Sequence, residues 1–214
     1  MSKYYKPLLF LAACVVVFVL FRAATGPRGA KDRGASIDPS VEPQQVEVTD
    51  VEPIWIKFSG GRAELRPFAT YTVAVKIGGR KRYWGKWQSD VARYDLLLMW
   101  GDLATKDIPE LKFKQEMRWS YFRYGPNCPY DADYIGTHSS NTHIIPASNN
   151  LRRAVSRLGK GDIVLMEGYL IDLDGEYEGR QIWWNSSRTR DDTGNGACEV
   201  FYLTSLRNGR KVYR

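Results

Sequence analysis

Histidine and cysteine are scarce in this chain of 214 residues, which has two of the first and three of the second. Cys14 lies in an apolar segment, so only Cys128 and Cys198 remain outside it, an even pair that could form one disulfide if the domain is exported. Long hydrophobic runs are also missing. The longest, residues 8–21, has 14 residues, short of the roughly 20 that a spanning helix needs. No internal repeat is evident, which excludes a solenoid or a propeller.

The content that is present belongs to a folding chain. The composition is 43% hydrophobic and 13% aromatic, and the roughly 160 residues beyond the first 50 make one ordinary domain with one core. The formal charge is +7, and the first 50 residues hold six Lys/Arg against five Asp/Glu, so the domain carries almost all of the excess. A mildly basic surface is compatible with an anionic partner, although a simply solvated surface has the same composition.

At the N-terminus Lys3 and Lys6 lead into the apolar run. With Tyr4, Tyr5 and Pro7 before it, Ala23 and Ala24 after it, and Arg22 snorkelling, the segment becomes just long enough to span. Residues 1–25 are therefore expected to be a transmembrane signal-anchor. A cleaved signal peptide fits the same pattern. Leu11-Ala12-Ala13-Cys14 has the residue types of a lipobox, but the apolar run continues past the cysteine, which argues against lipidation. Arg22, Arg28, Lys31 and Arg33 taken alone would hold the following domain in the cytoplasm, whereas a short leading segment exports it; export is the expectation. Residues 26–53, rich in Gly, Pro, Ser and mixed charge, read as a flexible linker with a coil reach of roughly 30 Å.

Residues 54–214 read as a β-rich globular domain. The stretch 68–77 is β-branched and aromatic, and Gly78-Gly79-Arg80 then predicts a hairpin turn into residues 82–87. Residues 94–101 are a buried strand or one helical turn, and 117–124 alternate as a strand. One helix is predicted over 149–158, capped by Ser148 and stopped by Gly159, with Leu151, Val155 and Leu158 on its buried face. Strands follow at 162–172, 180–187 and 198–206. The passage from this helix through Gly159-Lys160-Gly161-Asp162-Ile163-Val164-Leu165-Met166-Glu167-Gly168-Tyr169-Leu170 resembles the second half of an OB-fold barrel, in which a helix plugs the barrel end and Gly168 relieves crowding at a bend. The predicted class is mainly β with one helix: a small OB-like β-barrel behind an N-terminal transmembrane helix.

Both histidines fall in Thr137-His138-Ser139-Ser140-Asn141-Thr142-His143-Ile144-Ile145-Pro146. As a strand, this segment puts His138, Ser140 and Thr142 on one face and Ser139, Asn141 and His143 on the other, so the histidines would not chelate one ion and no metal site is expected. A second polar cluster runs from Asn185 through Arg188, Asp191 and Asp192 to Cys198 and Glu199. Its Asp191-Asp192-Thr193-Gly194-Asn195-Gly196 is calcium-like in composition but lacks EF-hand spacing. Cys198 with His143, oriented by Asn141, could form a nucleophile pair; equally, Cys198 is a disulfide partner of Cys128 or a small buried strand residue. Aromatics from Tyr83 to Trp184 interleave with Arg and Lys, as in single-strand nucleic-acid grooves, and alternation also makes half of them core.

The His138–His143 cluster, Gly168-Tyr169-Leu170, and Trp183-Trp184-Asn185-Ser186-Ser187 through Gly194-Asn195-Gly196-Ala197-Cys198-Glu199 together resemble a family of uncharacterised bacterial single-pass membrane proteins with a soluble C-terminal domain and no assigned activity. The resemblance covers residues 90–206 and implies a bacterial inner-membrane location with a periplasmic domain. It carries over no residue roles and no cofactor. The expected function is that of an envelope binding module for a protein partner or an anionic polymer, using His138, Ser140, Asn141, His143, Arg188, Asp191 and Glu199. The alternatives are a Cys198-dependent hydrolase or transferase and a tethered single-stranded nucleic-acid binder, the latter disfavoured by export.

Overall fold

Alternation along one long strand organises the domain, which is described by a computed structural model. The structure describes residues 5–32, 34–189 and 198–214; in the first helix, side chains are described for residues 9–19 only. It is mainly β with few helices. In chain order the elements are α1 (Tyr5–Ala24), β1 (Ala30–Lys31), β2 (Gln44–Glu47), β3 (Ile54–Phe58), β4 (Gly61–Arg82), α2 (Trp87–Val91), β5 (Tyr94–Met99), α3 (Asp102–Thr105), β6 (Lys112–Glu116), β7 (Trp119–Arg123), α4 (Ala132–Thr137), β8 (Ser139–Pro146), α5 (Asn149–Val155), β9 (Ile163–Tyr177), β10 (Arg180–Trp184), β11 (Glu199–Asn208) and β12 (Lys211–Tyr213).

Five strands pair in a circuit. β4 is antiparallel to β9 and to β5, β5 is antiparallel to β8, β8 is parallel to β11, and β11 is antiparallel to β9. Each of the five therefore has two partners within the set. Their alternate residues, including Tyr71, Val73, Val75 and Ile77 of β4, Leu96 and Leu98 of β5, Ile144 of β8, Met166 of β9 and Phe201 of β11, form one buried apolar cluster. α5 supplies Leu151, Ala154 and Val155 to the same cluster, and its first turn is capped by Ser148, whose Oγ accepts from Leu151 N at 3.1 Å. Gly168 is required where β9 passes β11, because a Cβ there would collide with the main-chain oxygen of Tyr202.

A second apolar layer lies on the outer side. β3, β10 and the parts of β4 and β9 beyond the circuit form an extension whose Ile56, Leu65, Leu173 and Ile182 pack with Ile145 and Val200, the outward-facing residues of β8 and β11. A third, smaller cluster joins Leu97 and Met99 to the β6–β7 hairpin through Phe113 and Phe122.

The structure corrects several expectations. Gly78 and Gly79 do not turn the chain: β4 runs through them, and its register with β5 slips between Ile77 and Gly79 as a bulge. The close approach of Leu97 to Gly78 and of Gln115 to Gly79 explains the glycines. Residues 94–99 are a strand. Residues 117–124 do not form one strand from their start, because Met117 (φ 50°) and Arg118 (φ 70°) make a two-residue turn between β6 and β7. The acidic stretch after Asp172 continues β9 into a hairpin turned at Glu178 and Gly179, both at positive φ. Beside α5, three short helices of four to six residues occur among the described residues of the domain.

The linker over 26–53 is docked on the domain. Asp32 N donates to Arg210 O at 2.8 Å, Gly101 N donates to Pro39 O at 2.8 Å, and β1 and β2 pair with β12 and β4. The physical reason is edge satisfaction: β5 covers β4 only from Lys76 onward, and β3 and β2 fill the same edge earlier along the strand. Among the described residues no helix is long and apolar enough to cross a membrane. The described side chains of α1 are all exposed, and they span about 16 Å of helix axis.

Candidate functional site

One cleft of about 430 Å³ gathers Gln88, Arg118, Trp119, His143, Trp183, Trp184, Asn185 and Cys198. Four separate chain segments meet there. Gln88 comes from α2, Arg118 and Trp119 from the β6–β7 turn, and His143 from the outward face of β8. Trp183, Trp184, Asn185 and Cys198 flank the connection between β10 and β11.

Beneath the cleft lies Asp95, a fully buried carboxylate inside the otherwise apolar β5. Register fixes its partners, since Asp95 stands opposite His143. His143 Nδ1 lies 2.9 Å from Asp95 Oδ1, and Arg118 Nη1 donates to the same oxygen at 2.7 Å. The imidazole nitrogen is at contact distance but out of line for a hydrogen bond, so His143 Nδ1 and Asp95 Oδ2 are both buried without one. Gln88 Oε1 is a third such atom at the same place. Buried polar atoms are normally satisfied, so three around one cleft mark unspent hydrogen-bonding capacity.

Arg118 holds the site together. Its guanidinium also donates to Ala92 O at 2.8 Å and Ser89 Oγ at 3.3 Å, and lies 4.3 Å from the Tyr83 ring centroid and 5.4 Å from that of Trp184. Its main-chain N–H donates to Tyr83 Oη at 2.9 Å, and its carbonyl accepts from Asn141 Nδ2 at 2.9 Å and from Cys198 Sγ at 3.7 Å. Adopting positive φ at two adjacent non-glycine residues costs about 1–3 kcal/mol each, and this bonding over-determines the turn. Burial is the main cause that pushes the Tyr83 phenol above its ordinary value, opposed by the Arg118 N–H.

No known protein family, curated protein or solved structure matches the chain. Whatever the cleft does must therefore be argued from its own residues.

Three expected site residues converge on this cleft, whereas His138, Ser140, Arg188 and Glu199 lie outside it. His143 and Cys198 line it, and Asn141 adjoins Cys198, its Nδ2 lying 3.9 Å from the sulfur, while Asn141 Oδ1 accepts from Gln115 at 2.9 Å. His138 is elsewhere. It stacks on Tyr134 with ring centroids 3.8 Å apart, and its Nε2 lies 3.1 Å from Glu42 Oε1 of the docked linker. Glu42 also accepts from Trp100 Nε1 at 2.9 Å, so this histidine clasps the linker. Arg188 pairs with Asp172 and lies 3.5 Å over the Phe68 ring, away from the lining residues. Ser140 and Glu199 face inward, where Ser140 donates to the Glu199 carboxylate and Thr142 lies 3.5 Å from it. Asp191 and the calcium-like loop fall outside the described residues.

The disulfide that Cys128 and Cys198 could make is not formed. Cys128 packs with the Leu97 and Ile135 cluster and donates to Tyr130 O, and Cys198 lies at the cleft. Among the described residues no group of three His, Cys, Asp or Glu could hold a metal ion. Sequence reasoning missed Asp95, Arg118 and Gln88. Asp95 carried a usable signal, a lone charge in Tyr94-Asp95-Leu96-Leu97-Leu98-Met99; Arg118 carried none, because its role depends on a turn that the local alternation concealed.

Proposed function

We propose that the protein is a membrane-tethered binding module, an OB-like barrel that takes a segment of an envelope protein partner in the Trp-walled cleft. The strand circuit supports the OB-like reading: β4, β5, β8, β9 and β11 serve in order as its five strands, with α5 between the third and fourth and a parallel pairing of third and fifth. In such barrels the face of the second and third strands and the loops after the first and fourth form the ligand site. Here those parts carry Asp95 and His143, Gln88, and Trp183, Trp184, Asn185 and Cys198. The exposure of Leu9, Phe10, Leu11, Val15, Val16 and Val17 on α1 supports a membrane-held segment, since an apolar surface of this kind is unfavourable in water. The expected orientation puts the domain in the bacterial periplasm.

The observation that carries the binding reading is the convergence of three tryptophans with orphaned polar atoms in one cleft. It favours a protein partner over an anionic polymer, because the only guanidinium among the described lining residues is already committed to Asp95. The test is capture of envelope proteins by the full chain in detergent, followed by identification and purification of the partner. Trp183→Ala is expected to weaken binding of that partner at least tenfold, whereas Trp55→Ala, equally exposed but outside the cleft, leaves it unchanged. Equal effects of the two substitutions, or tight binding of polyphosphate or oligo(dT) instead, would refute it.

A further inference from the structure

The cleft holds more chemistry than binding needs. Cys198 is the one cysteine on its wall, and the same wall presents His143, which is 2% exposed and whose Nδ1 lies 2.9 Å from the buried Asp95 carboxylate. An imidazole with Nδ1 beside a carboxylate keeps Nε2 for a second partner, and the tautomer that places a proton on Nδ1 leaves Nε2 a base. Neither Asp95 Oδ2 nor His143 Nδ1 has a hydrogen bond, so this pair is not saturated by the fold. Around the sulfur stand the carbonyl of Arg118 at 3.7 Å, which accepts the resting S–H, and Asn141 Nδ2 at 3.9 Å.

We propose that Cys198 is a nucleophile for acyl transfer, with His143 as its base, Asp95 as the positioning residue for His143, and an ester, thioester or amide carbonyl as the substrate class. The Cys198 proton passes to His143 Nε2 as the sulfur attacks the acyl carbon and forms a C–S bond. Collapse of the tetrahedral adduct breaks the bond from carbon to the leaving O, S or N, which departs with its electron pair and takes the proton from the imidazolium. Water, deprotonated by His143, then attacks the thioester; the C–S bond breaks and the proton returns to sulfur. The net reaction is hydrolysis, and no external oxidant or reductant enters. The charged and titratable groups facing this centre are Arg118 and Tyr83 beside Asp95, with Glu199 turned to the opposite side of β11. The assignment uses the cleft of the binding reading but does not depend on which partner binds.

The test uses the full chain in detergent with Cys14 and Cys128 both changed to Ser, so that only Cys198 can react, and p-nitrophenyl acetate as the probe. The expected result is a burst of about one nitrophenolate per chain near neutral pH, with the acetyl group on the Cys198 peptide by mass spectrometry. His143→Gln is expected to slow acylation by roughly 10²-fold or more. Asp95→Asn is expected to displace the pH profile of acylation, which a purely structural loss would lower without displacing. A matched chain keeping only Cys128 guards against misfolded variants: acylation of Cys198 no faster than that of Cys128 overturns the assignment. So does an unchanged rate in His143→Gln. Either failure leaves partner binding and its loss in Trp183→Ala untouched, so the two readings fail separately.

Discussion

The two faces of β5 and β8 are stabilised by opposite means. Toward the interior, Leu96, Leu98 and Ile144 join Phe201 and Leu151 in an apolar cluster that needs only close packing. Toward the outside, one or two residues away, Asp95, Asn141 and His143 are equally buried but stay in place through Arg118, Gln115 and Tyr83. The difference teaches that here burial alone does not mark core. An apolar face can lose a side chain and relax; a polar face cannot lose one without stranding its partner.

The largest effects should fall on the two faces alike and separate only in the double variants. Phe201→Ala is expected to destabilise by about 3–5 kcal/mol through cavity formation, read by chemical denaturation. Asp95→Ala should cost about as much, roughly 3–5 kcal/mol, because it leaves the Arg118 guanidinium uncompensated. The contrast sharpens with Asp95→Leu combined with Arg118→Met, which should recover most of that loss, whereas no second substitution at Arg118 rescues Phe201→Ala. If the double variant is as unstable as Asp95→Ala, the outer face is held by shape and the comparison breaks.

A smaller effect belongs to α5. Ser148→Ala removes the cap of α5 and should cost about 1 kcal/mol, measurable as a shift in denaturation midpoint without loss of cleft binding. Smaller still is an alkaline effect confined to the outer face. Burial holds the Tyr83 and Tyr202 phenols above the ordinary 10.0. Their contribution to stability is therefore complete below that value and is lost as pH rises through the higher folded-state values. Tyr83→Phe should flatten part of this alkaline decline, seen in denaturation midpoints taken at increasing pH.

The inward face was legible in the sequence because period-two alternation and the Ser148 to Gly159 signals are local. The ten-residue stretch 68–77, the helix after Ser148 and the need for glycine at 168 all stand in the structure. What was not legible depended on partners distant in sequence. Gly78-Gly79 reads as a turn until β5 crowds it into a bulge, and residues 26–53 read as linker until the open edge of β4 recruits them. At the site, Cys198, His143 and Asn141 were visible as reactive types, and the parallel pairing of β8 with β11 brings them together. Arg118 emerges only when a hairpin tip meets a strand 23 positions away, where Asp95 stood out as a lone charge in an apolar run. His138 and Arg188 misled for the converse reason: local polarity that the fold spends on stacking and clamping.

The docking of residues 26–53 shortens the reach between α1 and the domain. α1 ends at Ala24, and Arg28 N already donates to Asn150 Oδ1 at 2.7 Å, so only Thr25, Gly26 and Pro27 lie between helix and anchored chain. Three residues extend at most about 10 Å, where a free linker of residues 26–53 would have let the domain roam roughly 30 Å. A domain on so short a connection stays within a thin shell around the end of α1. Releasing Arg28 from Asn150 and β1 from β12 would lengthen that connection and widen the volume that the domain samples around α1.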